Sequence, residues 1–341
     1  MIHAAMLLAA LALDLVLGEP PAAAHPVVWI GKLVSALERL APRGTIPARC
    51  LPTSGAHGYE DVGQEVIPAP VTAVRYDLAQ MAYGAFMPLV GLLAFVLPAW
   101  LLLGFLWQAS LPAYFVVGVV LLKSTFSVRE LIRAALRVRQ ALVEGRLDGA
   151  RAQLSGLVSR DTRSLDESLV VAATVESVAE NSHDSFVAPV FYYLLFGVPG
   201  ALAYRVINTF DSMVGYRGHY EYLGKVPARL DDLANFVPAR LAGLLLVGAS
   251  FLKGLEPRRA WQTMWRFHGA TESPNAGWPM SAMAGALAVR LVKEGHYSLG
   301  DADSPLSRDK IDRAIDVVFV AIIVMATLAV LVEVVKHGHF S

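Results

Sequence analysis

Residues 315–335 read IDVVFVAIIVMATLAVLVEVV and carry no charge from Val317 to Val332. A helix advances about 1.5 Å per residue, so a hydrocarbon layer about 30 Å thick calls for about 20 apolar residues. This stretch fits a membrane span. Four further apolar stretches extend the pattern outward: Phe86–Leu103, Leu106–Leu122, Phe186–Tyr204 and Val237–Phe251. The whole chain agrees with them, since 55% of its 341 residues are hydrophobic and 17% are charged. A soluble domain has a charged share nearer one quarter. The sequence predicts an all-α, polytopic helical membrane protein with about five membrane segments, forming one domain over residues 1–341.

The segments differ in quality. Phe186–Tyr204 is interrupted by Pro189, Gly197, Pro199 and Gly200. A broken apolar segment of this kind reads as re-entrant, which is tolerated only where protein or a water-filled cavity covers the freed backbone. The opening stretch MIHAAMLLAALALDLVLGEPPAAAHP lacks the basic residues of a secretory signal, and Asp14 interrupts its apolar core. It reads as a retained membrane helix. The Pro- and Gly-punctuated stretch APRGTIPARCLPTSGAHGYEDVG that follows further on reads as loop.

Charge and cysteine narrow the function classes. With 29 basic and 29 acidic residues the formal net charge is zero, so no uniform field points to a nucleic acid. Cys50 is the sole cysteine, which excludes an intrachain disulfide and a cysteine-rich metal site. The chain has no Walker-type loop, zinc-binding His-Glu helix or Gly-x-Ser-x-Gly elbow.

Between residues 127 and 185 the character changes. Leu131, Ala134, Ala135, Val138 and Leu142 recur at helical spacing, with Arg129, Arg133, Arg137 and Arg139 between them. Gly145 suits a helix end and Asp148 a start, while Ser164 and Glu167 have capping-box spacing. A mostly extramembrane helical region is predicted over 127–185, on the cytoplasmic side because of its Lys/Arg content. The basic stretch from Lys253 to Arg313 is expected to share that side.

The stretch 174–186, TVESVAENSHDSF, holds the densest polar chemistry. On a helix Glu176, Glu180 and Asp184 share a face at i, i+4 and i+8, with Asn181 beside Asp184. Three carboxylates on one face repel each other unless a cation or neighbouring arginines neutralise them, and both resolutions remain open at this level. Oxygen-rich ligation suits magnesium, which uses one or two carboxylates together with substrate phosphates. Two later stretches repeat the theme: RVINTFDSMVGYRGHY supplies Arg205, Asn208 and Asp211, and ARLDDLANFVPAR supplies Arg229, Asp231, Asp232, Asn235 and Arg240. Arginines can hold phosphate oxygens bidentately while carboxylates hold the metal, which is the electrostatic requirement of phosphoryl transfer. A salt-bridge network inside the membrane is the alternative.

Three smaller stretches add candidates. SRDTRSLDE contributes Arg160, Asp161 and Thr162 at a turn, readable as a phosphate contact or as a helix cap. ESPNAGWPMSAMAGAL places Ser273, Asn275 and Gly277 in a Pro-punctuated loop before a helix of small residues, open to a ligand or to a plain turn. GEPPAAAHPVVWIGK places His25, Trp29 and Lys32 after the first helix, where Trp and Lys suit an interfacial anchor.

Taken in order, DLVLGEPPAAAHPVVWIGKLV, SRDTRSLDE, VESVAENSHDSFVAPVFYYLLFGVPGALAYRVINTFDSMVGY, ARLDDLANFVPARL and SPNAGWPMSAMAGAL resemble the adenosylcobinamide-phosphate synthase family of cobalamin biosynthesis. The resemblance runs from about Asp14 to Leu287. It implies an ATP-dependent ligase that joins an aminoalkyl phosphate, such as (R)-1-aminopropan-2-yl phosphate, to the propionate carboxyl of adenosylcobyric acid, with magnesium and through an acyl phosphate. On that reading Glu180, Asp184, Asp211 and Asp232 are catalytic. Glu176, Glu180, Asp184, Asp211, Asp231 and Asp232 are the metal-binding set. Arg160, Asp161, Thr162, Asn181, Arg205, Asn208, Arg229, Asn235, Asn275 and His25 contact substrate. The resemblance further implies a multi-pass protein of the cell membrane and association with other membrane enzymes of the pathway. The carboxylates border the apolar segments, Asp184 before Phe186 and Asn235 before Val237, beside the basic 127–185 region, which predicts a site facing the cytoplasm.

Two departures from the family pattern are visible. His183 stands where a small residue is usual, and Ser159 where a glycine commonly precedes the Arg-Asp-Thr triplet. Neither removes a candidate carboxylate. Two rival chemistries use similar residues: a magnesium-dependent membrane prenyltransferase acting on a prenyl diphosphate, and an ion-coupled transporter with broken helices near mid-membrane.

Overall fold

Proline and glycine cut the apolar sequence into its helices. In the computed structural model, which describes residues 1–21, 23, 25–42, 77–216 and 220–338, these are α1 (Ile2–Leu17), α2 (Pro26–Leu40), α3 (Leu78–Gly91), α4 (Leu97–Ala109), α5 (Leu111–Lys123), α6 (Val128–Val143) and α7 (Leu147–Leu154). The second half comprises α8 (Glu167–Ser182), α9 (Ala188–Val214), α10 (Lys225–Ala234), α11 (Phe236–Leu252), α12 (Pro257–Phe267), α13 (Gly277–Leu287) and α14 (Asp309–Gly338). A hairpin of β1 (Leu291–Lys293) and β2 (Tyr297–Leu299) stands between α13 and α14. Cys50 and most of the expected loop from Ala41 to Gly63 lie outside the described residues.

Four helical stretches are long and apolar enough to cross a membrane, and a fifth is formed if α10 and α11, bent by 48°, count as one. The chain is all-α and multi-pass, as its composition requires. Leu101, Phe105 and Trp107 on α4 are exposed, an apolar surface that suits lipid. One boundary moves: the second apolar segment, expected from Leu106, begins at Leu111. Ser110 is extended there, its hydroxyl accepts from the Ala113 amide at 3.4 Å, and Pro112 sits in the first turn.

Two π-helical turns, Leu92–Val96 and His183–Val187, each end just before a proline, Pro98 and Pro189 respectively. A proline donates no hydrogen bond and crowds the preceding turn; a widened turn absorbs both effects. The second π turn carries His183 and Asp184. Further on, α9 breaks at Gly197, with φ 67° and ψ −159°, a conformation that is essentially glycine's alone. Tyr204 and Asp184 are 20 residues apart, about 30 Å along a straight helix. Yet the Tyr204 hydroxyl lies 3.0 Å from the Asp184 carboxylate. The chain therefore reverses at Gly197, and the two limbs pack closely: Tyr192 stacks on Tyr204, and a Cβ on Gly200 would meet the Tyr192 carbonyl at 2.5 Å. The broken segment predicted between Phe186 and Tyr204 is this reversal.

α8 is the central rod, buried continuously from Val170 to Ala179 and packed against α6, α13, α14 and β1. Its cap is Asp166, which accepts from the Leu169 amide at 2.8 Å, rather than Ser164. Helices α6 and α7 carry the charged surface expected of 127–185, whereas α8 is surrounded by protein. Asp14, the interruption in the first apolar segment, is fully buried; its carboxylate accepts from the Val128 and Arg129 amides at 3.0 Å each. It thus caps the N-terminus of α6 from another helix.

Candidate functional site

The reversal at Gly197 brings the polar stretches together. α8 and its π turn present Glu176, Glu180, Asn181 and Asp184; α9 presents Asn208 and Asp211; and the bend between α10 and α11 presents Asp231 and Asn235. These side chains line one cavity of about 390 Å³, completed by Asn275 from the loop before α13 and by Arg160. Residues from stretches more than a hundred positions apart thus share a single polar chamber.

A hydrogen-bonded frame holds the carboxylates. The Tyr204 hydroxyl lies 3.0 Å from Asp184 Oδ1 and 2.9 Å from Asn235 Oδ1, one proton between two acceptors. Asn235 donates to Asp231 at 2.8 Å, and Asn208 donates to the other Asp231 oxygen at 3.3 Å. His183 Nδ1 is 3.0 Å from Asp184 Oδ1. Asn275 reaches from its loop to the Asp232 carbonyl at 2.7 Å and accepts from Arg240 at 3.2 Å, tying the α13 approach to α10 and α11. Asn181 donates to the Ser177 carbonyl at 2.9 Å and is fixed to its own helix.

The side chains around Asp184, Asp211 and Asp231 offer mainly oxygen, from the carboxylates and from Asn208 and Asn235, with the His183 imidazole beside Asp184. Among the described residues no three Asp, Glu, His or Cys side chains converge closely enough to hold an ion by themselves. The six carboxylates proposed from sequence are therefore not a ready-made cage.

A comparison with known proteins decides the lineage: the model of the CobD/CbiB protein family matches residues 7–325. The chain belongs to the CobD/CbiB family. It is 46% identical over 299 residues to the cobalamin biosynthesis protein CobD of Dehalococcoides mccartyi, covering 88% of this chain and 87% of that one. A probable cobalamin biosynthesis protein CobD of Methanothermobacter thermautotrophicus is 36% identical over 312 residues, 91% of each chain. The cobalamin biosynthesis protein CbiB of Salmonella typhi is 36% identical over 318 residues, again 91% of each. No solved structure matches. A place in cobalamin biosynthesis follows for this CobD/CbiB chain.

Within this family member, some expected site residues stand apart from the cavity. The Arg205 guanidinium donates to the carbonyls of Thr125 and Asp184, and at 3.2 Å to Asn208. It clamps the end of α5 to the π turn, so it positions Asp184 and does not line the chamber. His25 caps α2 through Nδ1 at 3.1 Å, and its Nε2 meets Glu19 at 2.5 Å. Glu19 in turn pairs with Lys123 at 3.0 Å, in a network behind the site. Asp161 is exposed and paired with Arg163, whereas Thr162 donates to the Arg151 carbonyl at 2.9 Å and ties α7 to the loop before α8. Asp232 and Arg229, 3.5 Å apart, line an adjoining cleft of about 990 Å³ that meets the cavity at Asp211 and Asp231.

Sequence reasoning missed Tyr204, Lys293 and Tyr297. Tyr204 closes a broken apolar run and carries no motif of its own, and the other two belong to a hairpin with no motif. Both line the cavity beside Glu176.

Proposed function

We propose that this chain is the ATP-dependent amide synthase of its pathway, joining an aminoalkyl phosphate, such as (R)-1-aminopropan-2-yl phosphate, to the propionate carboxyl of adenosylcobyric acid. The observation that carries the reading is the convergence of Asp184, Asp211 and Asp231, with Asn208 and Asn235, in one chamber that opens onto a larger cleft. The sequence resemblance names the same reaction.

A carboxylate is a poor acylating agent, so amide formation needs activation. A propionate oxygen attacks the terminal phosphorus of ATP, ADP departs, and an acyl phosphate results. The amine nitrogen then attacks the acyl carbon, its proton leaves to a carboxylate or to water, and phosphate departs. Asp184, Asp211 and Asp231 would hold magnesium, which supplies charge neutralisation and alignment at the phosphate oxygens. The residues of the chain orient the reactants and exclude bulk water. Tyr204, Asn208 and Asn235 keep Asp184 and Asp231 in place. Asp232 and Arg229 would meet substrate in the outer cleft.

The test is reconstitution. The full chain, purified in detergent and given adenosylcobyric acid, the aminoalkyl phosphate, ATP and magnesium, should yield the amide and ADP in equal amounts by mass spectrometry. ATP turnover that ignores the corrinoid, or no amide at all, would sink the reading.

A further inference from the structure

The hairpin β1–β2 is the part of the cavity wall without a motif behind it. Leu291 pairs with Leu299 and Lys293 with Tyr297. Residues two apart on a strand share a face, so Lys293 and Tyr297 stand on the same face as Leu291 and Leu299. Both leucines are fully buried in the core, which fixes the hairpin against α8. The next pair is thereby held over Glu176 and Glu180.

The charges at this end of the chamber are incompletely matched. Arg160 donates to one oxygen of Glu176 at 2.9 Å, one contact for a group with five donors. The other Glu176 oxygen is buried and meets no donor in good hydrogen-bond geometry, with the Tyr297 phenol and the Lys293 charge acting on the same carboxylate. Lys293 acts by its charge on both Glu176 and Glu180 without forming an ion pair within 4 Å among the described residues, and Lys293 and Glu180 both line the cavity. Spare cationic donors and spare carboxylate oxygens therefore lie side by side. A ligand carrying an anion and a cation a few bonds apart would complete both sets. An aminoalkyl phosphate is such a molecule; ATP has no ammonium, and a corrin propionate has neither an ammonium nor a phosphate.

Resting on the amide-synthase reading above, we propose that Lys293 and Arg160 bind the phosphate of the aminoalkyl phosphate while Glu176 and Glu180 receive its ammonium, so that the hairpin selects the phosphorylated amino alcohol. Tyr297 completes the anion side as a neutral donor. Burial first, and then the charges of Glu176 and Glu180, push its phenol well up, so it keeps its proton. ATP phosphates occupy the opposite end, at Asp184, Asp211 and Asp231.

The experiment separates the substrates. With the full chain in detergent, KM is measured for (R)-1-aminopropan-2-yl phosphate and for ATP, and turnover is measured with the unphosphorylated amino alcohol. Lys293→Met should raise KM for the aminoalkyl phosphate roughly 10- to 100-fold, the loss of a charge-assisted hydrogen bond, and leave KM for ATP within about twofold. The preference for the phosphorylated over the bare amino alcohol should fall by the same factor. Tyr297→Phe, a smaller perturbation, should shift the same constant about threefold to tenfold, and Lys293→Arg should restore most of the affinity. An unchanged KM for the aminoalkyl phosphate in both Lys293→Met and Tyr297→Phe overturns the assignment, as does an equal rise for ATP, which would make this the nucleotide end. Those outcomes leave the amide-synthase reading standing, whereas a wild-type chain without amide product removes the reading and the inference together.

Discussion

At the scale of single residues, the two aspartates named most prominently from sequence have different surroundings. Asp184 sits in a π turn, and its carboxylate is met by Tyr204 and His183. Asp232 lies at the outer cleft, 3.5 Å from an exposed Arg229, and its main role inside is a backbone carbonyl that accepts from Asn275. An exposed ion pair contributes little. Asp184→Asn should therefore reduce turnover by about a hundredfold or more, a loss of the size expected when a group that orients phosphoryl transfer is removed. Asp232→Asn should cost about tenfold or less in the same assay, because its carboxylate lies in the outer cleft beside an exposed arginine and not among the chamber carboxylates. Both variants should extract from the membrane in normal yield. Equal losses in the two would show that the chamber and the cleft contribute alike.

At the scale of elements, the loop between α1 and α2 carries a buried charge network. Glu19 sits among His25, Ser127 and Lys123; burial alone would raise its carboxyl, but hydrogen bonds from those three outweigh burial and hold it at about 2, against an ordinary 4.5. Because the folded value is the lower one, the stabilisation is fully present above about pH 4.5 and is lost as pH falls through about 2. Its size is on the order of 3 kcal/mol, from the value of one pH unit. Thermal unfolding in detergent should find Glu19→Gln less stable than the parent at pH 7, with the gap closing between pH 4.5 and 2. A gap that stays constant across that range would mean that Glu19 does not link α1, α2 and α5 through its charge.

For the whole molecule, the question is which side of the membrane the chamber faces. The basic surfaces of α6 and α12 favour the cytoplasm by the charge bias of membrane insertion. Position 212 reports on this directly, because Ser212 is exposed at the chamber while Ser182 is only 4% exposed, its hydroxyl bonded to the Ala179 carbonyl. In a Cys50→Ser background, Ser212→Cys should react with a membrane-impermeant thiol reagent in inside-out vesicles, and Ser182→Cys should not. ATP with magnesium should slow the reaction at position 212. Labelling of Ser212→Cys in intact cells would reverse the orientation.

Composition and periodicity by themselves determined the solvent and the fold class. Uninterrupted apolar runs such as Val317–Val332 must be helical in hydrocarbon, where every backbone amide needs an internal partner. The acidic and amide residues of the chamber were legible for a related reason: charge in an apolar chain is costly and is kept where it has a use. Local spacing also showed that Glu176, Glu180 and Asp184 share a face. What spacing lacks is the path of the chain between elements. The reversal at Gly197 decides that Tyr204 returns to Asp184, and a single glycine in an apolar run carries no sign of its direction. The same gap explains the residues whose roles changed. Arg205 could serve a phosphate or a carbonyl, and only the closeness of Thr125 and Asp184 makes it a clamp. His25 and Asp161 met local partners first, while Lys293 and Tyr297, ordinary residues of a short hairpin, reached the chamber because Leu291 and Leu299 found the core. Backbone periodicity acts over a few residues, whereas a binding site is made by long-range packing, and that is settled only when the helices meet.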